Sequence, residues 1–96
     1  MAKAYWLSIY RNISDPDKMA AYAKLAAPAV TEAGGRYLVR NTPAEVFESG
    51  LLQRAVVIEF DSLEAALAAR NSPAYQAALK ELGDGAERDF RVVEGV

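Results

Sequence analysis

The stretch that most constrains the fold is RAVVIEF, Arg54 to Phe60. Alternation along a strand puts Val56, Ile58 and Phe60 on one face and Ala55, Val57 and Glu59 on the other. The first face is wholly apolar. The second is apolar except for one carboxylate. A short apolar run of this kind needs cover on both sides, so it belongs inside a sheet rather than at its edge. Glu59 then poses a question, because a buried carboxylate is costly unless it finds a cationic or hydrogen-bonding partner.

Residues 1–96 make one small domain. A chain of this length buries only roughly 60–65% of its unfolded surface, which leaves little margin for stability alone. Nineteen of the 96 residues are alanine, so the core rests on a few branched and aromatic side chains. A partner surface would help such a domain.

Eleven basic and 13 acidic residues give a net charge of -2, with no basic cluster. Nucleic-acid binding needs a basic stripe, and polybasic membrane contact needs the same, so neither is expected. The chain has no cysteine and no histidine. That removes thiolate chemistry, the imidazole general base and the usual haem ligand. Asp15, Asp17, Glu45 and Glu48 match no familiar metal spacing. The expectation is a site with no metal and no cofactor. The opening residues, MAKAYWLSIYRN, lack a long apolar run, which predicts no signal peptide, no membrane span and a cytoplasmic protein.

Four strand signals and two helical regions follow in order. Lys3–Arg11 is rich in aromatic and branched residues. Asp15 caps and Pro16 opens a helix whose apolar stripe includes Met19, Tyr22, Ala26 and Val30. Pro28 should bend or split it, and Gly34-Gly35 ends it. GRYLVRN is the second strand, and AEVFES reads as its short continuation or a hairpin arm. RAVVIEF is the third strand. Asp61 or Ser62 caps the second helical region, and Ser72-Pro73 restarts it. RDFRVVEGV closes the chain. The order β-α-β-β-α-β predicts an α+β split sandwich, with a four-stranded antiparallel sheet and both helices on one face. Right-handed crossovers put the first and third strands in the centre.

On strand three, Val56, Ile58 and Phe60 are assigned to the helices. On strand one, Tyr5, Leu7 and Ile9 are taken as the matching set. Trp6, Ser8 and Tyr10 then share the uncovered face with Val57 and Glu59. Such a face is too apolar to stand in water, and a second copy related by a two-fold axis is the simplest cover. Glu59 would point between the two sheets, where Arg36, Arg40 or Arg91 could meet it.

The stretches AYW, GGRYLVR, VVIEFDSLEAALAA, SPAYQAAL and VVEGV resemble a bacterial family known only as domain of unknown function family 1330. The resemblance spans nearly the whole chain. It implies a ferredoxin-like fold and a dimeric α/β barrel, a homodimer with no established activity. Members often carry an aromatic pair before the SP stretch and an arginine after the helix it opens. Ala69-Arg70 and Lys80-Glu81 stand in those places here.

Two classes of function follow. In the first, a small apolar or anionic molecule binds a cavity at the dimer's sheet face, lined by Trp6, Ser8, Tyr10, Arg36, Arg40 and Glu59. Glu59 is the candidate general acid or base, and an arginine or Tyr10 steadies an oxyanion, as a cofactor-free isomerase or oxygenase requires. In the second, the protein is a non-catalytic dimeric binding or stress-related module. Glu59 is then an interface ion pair, Arg36 and Arg40 are edge-strand charges, and Ser72-Pro73-Tyr75 is a helix start.

Overall fold

The computed structural model describes residues 2–96. The elements are β1 (Ala4–Ile13), α1 (Pro16–Glu32), β2 (Arg36–Asn41), β3 (Ala55–Phe60), α2 (Leu63–Arg70), α3 (Pro73–Leu82) and β4 (Ala86–Glu94). The sheet order is β2-β3-β1-β4, with antiparallel neighbours throughout. The two most apolar strands are therefore central, as expected. The fold is α+β and ferredoxin-like, with the second helical region divided into α2 and α3.

Local chemistry sets the helix boundaries. The Asp15 carboxylate accepts hydrogen bonds from the Asp17 and Lys18 amides, each at 3.1 Å, and Pro16 follows at the first helical position. Ser62, rather than Asp61, caps α2 by accepting from the Ala65 amide at 3.1 Å. Ser72 accepts from the Tyr75 amide and opens α3. At the end of α1, Gly34 adopts φ +89°. A Cβ on Gly35 would sit 2.7 Å from Val30 Cγ1 and 2.9 Å from the Phe60 ring, so glycine lets the helix end lie directly on β3.

One expectation about local structure is narrowed and another fails: Pro28 does not split its helix, and AEVFES forms no strand. Helix α1 runs unbroken through Pro28. The proline is exposed while Ala26, Ala29 and Val30 are buried, so tertiary packing holds the helix and the orphaned Lys24 carbonyl lies on the wet side. The stretch AEVFES forms no strand. It lies in the long loop of residues 42–54, where Phe47 is exposed and Glu48 takes φ +54°, which ends any extended run.

The core lies between the sheet and the helices. It contains Val56, Ile58 and Phe60 of β3, as predicted, with Tyr22, Ala26 and Val30 of α1 and Tyr75, Ala78 and Leu82 of α3. The face assigned to β1 is corrected. Trp6 pairs with Ile58 and Ser8 with Val56, so Trp6, Ser8 and Tyr10 face the helices. They are 1%, 2% and 2% exposed. Tyr5, Leu7 and Ile9 lie on the open face beside Glu59, Val57 and Ala55. The physical reason is volume with polar handles. Trp6 packs on Phe60, Tyr75 and Phe90 at centroid distances of 4.9, 4.8 and 5.3 Å, and its Nε1 donates to the Ala66 carbonyl at 3.0 Å. The open-face set offers no comparable anchor.

Candidate functional site

A cavity of about 40 Å³ lies between the sheet and α1, reached by side chains from every strand. Arg88 of β4 lines it. Strand alternation places Arg88 opposite Tyr10, on the helix side, with Phe90 and Val92. Arg88 Nη1 donates to Ser8 Oγ and to the Tyr22 hydroxyl, each at 3.1 Å. Its guanidinium carbon lies 5.5 Å from the Tyr10 ring centroid and 5.0 Å from those of Tyr22 and Phe90. The Tyr22 and Tyr75 hydroxyls are hydrogen-bonded to each other.

Two further arginines reach the cavity. Arg40 lies 4.4 Å over the Tyr37 ring. Arg54, at the entry to β3, has a buried Nε with no hydrogen-bond partner. Among the described residues no salt bridge joins Arg40, Arg54 or Arg88 to a carboxylate, and no carboxylate lines the cavity. Arg88 faces rings and hydroxyls, and Arg40 lies over a ring. An uncompensated charge taken out of water costs several kcal/mol (order of magnitude), so such a cluster leaves a strong potential for an anion.

The electrostatics of the tyrosines agree. Burial holds Tyr10 above its ordinary pKa, partly opposed by Arg88. Burial, with Tyr75 next, holds Tyr22 higher still. Tyr37 is raised by burial as well. These phenols keep their protons at neutral pH. Burial works against the Arg88 charge, but the surrounding Tyr22, Tyr75 and Tyr10 outweigh it, and its pKa lies above the usual arginine value.

The residues expected to act together are divided by the sheet. Trp6, Ser8, Tyr10 and Arg40 line this cavity. Glu59 and Arg36 lie on the opposite face. Arg36 was named as one possible partner of Glu59, and it pairs with it, though from the neighbouring strand of the same chain. Glu59 Oε1 accepts from Arg36 Nε at 3.1 Å, and Oε2 accepts from the Tyr5 hydroxyl at 3.3 Å. Arg36 also bridges to Asp61 at 3.0 Å. The placement of Arg36 and Arg40 on one face of β2 is corrected too. The register shifts between Tyr37 and Val39, so Leu38 is an extra residue and Arg40 swings to the helix side, opposite Val56.

Sequence reasoning missed Arg54, Arg88, Tyr22, Tyr37 and Tyr75 as cavity residues. One signal for Arg88 was present. It alternates with Phe90 and Val92, so an arginine stands in the apolar register of β4. Tyr22 and Tyr75 sat on helical apolar stripes and looked like plain core. Among the described residues, no group of three or more acidic, histidine or cysteine side chains is arranged to hold a metal, and no helix is long and apolar enough to cross a membrane.

Solved structures share this fold. A protein of unknown function from Rhodopseudomonas palustris is 15% identical over 99% of this chain and 83% of its own, with a TM-score of 0.77. A dimeric ferredoxin-like protein of unknown function from Thermobifida fusca is 17% identical over 98% and 92%, with a TM-score of 0.68. SnoaB, a cofactor-independent oxygenase from Streptomyces nogalater, is 10% identical over 100% and 95%, with a TM-score of 0.67. At these identities the likeness is one of fold. No curated protein matches the chain in sequence. The family described as Domain of unknown function (DUF1330) matches residues 3–96, and the chain belongs to that family.

Proposed function

We propose that this protein binds a small organic anion in the helix-side cavity of each protomer and forms a homodimer through the open sheet face. The observation that carries the first half is Arg88, half-buried among Tyr10, Tyr22 and Phe90 and held by hydroxyls alone. A guanidinium in that setting recognises a carboxylate, enolate or phenolate far better than a neutral molecule. The second half is supported by Leu7, Ile9 and Val57, which no helix covers, and by the dimeric relative from Thermobifida fusca.

The chemistry this set supports is stabilisation of a bound enolate or phenolate. That is what a cofactor-free isomerase or oxygenase demands, and one such oxygenase shares the fold. Such a substrate has to bring its own acidity. Glu59, the sequence-based candidate for proton transfer, is on the far side of the sheet in an ion pair with Arg36. A second reading, binding without turnover, is favoured by the same fact: no described carboxylate lines the cavity to move a proton.

Trp6 is the chain's one tryptophan and lies in the cavity wall, so its fluorescence reports occupancy. Titration with benzoate is expected to change Trp6 emission saturably. Arg88→Gln should weaken that binding at least ~10-fold, the scale of one charge-assisted contact of about 1.5–3 kcal/mol. Arg88→Lys should retain part of it. Failure of every small carboxylate to alter Trp6, or equal binding in Arg88→Gln with an unchanged melting curve, would overturn the proposal.

A further inference from the structure

We infer that the anion is a monocarboxylic acid with an apolar tail, its carboxylate held in the inner cavity beside Arg54 and Arg88 and its tail laid in the groove outside. This deepens the reading above and rests on it.

Two spaces meet at Arg54. The inner cavity of about 40 Å³ has room for on the order of three water molecules, at roughly 10–15 Å³ each on this measure. That suits a carboxylate group and not a fused aromatic system. The groove outside measures about 470 Å³, within the usual range of roughly 300–1,000 Å³ for ligand sites. Its walls are Ile13, Pro16, Met19, Ala20 and Ala23, with Arg54 the one charged residue. Met19, Ala23 and Arg54 belong to both spaces, so they form the junction.

Charge and size therefore divide the ligand. The charged end belongs where the arginines are, and there the space is small. The larger space outside is apolar and suits a hydrocarbon. Arg54 marks the boundary with a buried Nε–H that lacks a partner, a donor left at a cost of about 1–3 kcal/mol unless a ligand oxygen takes it. Nε–H together with one terminal N–H is the fork that meets a carboxylate side-on. Arg54 is thus the residue that selects a carboxylate head, and Ala20 and Ile13 border the tail.

The test uses the whole protein and straight-chain alkanoates from acetate to octanoate, with octan-1-ol as the uncharged control. Binding is read by calorimetry and by Trp6 emission. Affinity should rise about three- to four-fold per added methylene until the groove is filled. Octanoate should bind at least ten-fold tighter than octan-1-ol, and Arg54→Gln should reduce that preference, leaving the share carried by Arg88. Ala20→Trp, at an exposed groove position, should flatten the dependence on chain length. If small carboxylates bind but octanoate is no tighter than acetate, the tail assignment is wrong while anion binding stands. If octan-1-ol matches octanoate in the native protein, the assignment of a carboxylate head to Arg54 is wrong. If no alkanoate and no benzoate binds, this inference falls together with the function it rests on.

Discussion

The two faces of one sheet treat charge in opposite ways. On the open face and its margins, Arg36 meets Glu59 and Asp61, Lys3 meets Asp61, and Arg91 and Arg11 meet Asp89. On the helix side, Arg40 and Arg88 meet tyrosine rings and hydroxyls instead, and the buried Arg54 Nε meets no partner. Both faces are apolar enough to need cover, but only one leaves cations unanswered. A surface built to pack against a copy of itself gains from internal neutrality, since like charges brought together across an interface repel. A pocket built for an anion gains from the reverse.

The largest effect should come from the helix side. Trp6→Ala removes a side chain 1% exposed, packed on three rings and bonded to Ala66, and should cost about 3–5 kcal/mol of stability. Chemical denaturation of the variant should show that loss at every protein concentration. A loss that vanishes on raising the concentration would put Trp6 in the dimer interface instead. The next effect belongs to the open face. Val57→Asp introduces a charge opposite Leu7 and should convert the dimer to monomer in sedimentation or native mass spectrometry, while benzoate binding persists. Retention of the dimer would show that another surface joins the protomers.

A pH scan separates the faces further. Tyr10, Tyr22 and Tyr37 hold their protons more tightly folded than unfolded. Their contribution to stability is complete below the ordinary tyrosine value of 10.0 and is lost as pH climbs through the higher folded values. Asp61 and Asp89 run the other way. Hydrogen bonds from Lys3 to Asp61 and from Arg91 to Asp89 lower their pKa values. Their contribution is present above 3.8 and disappears as pH falls through the folded values. Alkaline unfolding should therefore track tyrosine ionisation in the near-ultraviolet. Tyrosines that all titrate at the free value before unfolding would contradict the buried inner face. The smallest effect is expected from Glu59→Gln. Its ion pair with Arg36 lies on the open face, away from the cavity, so benzoate affinity should not change. A large fall in binding would return Glu59 to the site.

The sequence made β3 legible because only one of its faces is wholly apolar, and the helix starts because Asp15-Pro16 and Ser72-Pro73 have a single mechanical reading. Strand β1 was ambiguous for a physical reason. Tyr5, Leu7 and Ile9 are as hydrophobic as Trp6, Ser8 and Tyr10, so alternation alone cannot choose the phase. The burial of Ser8 makes sense only with Arg88, 80 positions away in the chain, donating to it. The bulge at Leu38 left no local mark, and it alone moves Arg40 across the sheet. Trp6, Ser8, Tyr10 and Arg40 line the helix-side cavity, whereas the sequence placed them with Arg36 and Glu59 at the dimer's sheet face.

The most direct test follows individual arginine Nε–H signals by nuclear magnetic resonance while benzoate is added. Saturable shifts at Arg54 and Arg88, with Arg36 and Arg91 unmoved, are the predicted result. Shifts confined to Arg36 and Arg91 would contradict the account, because the anion would then bind the face assigned to the dimer.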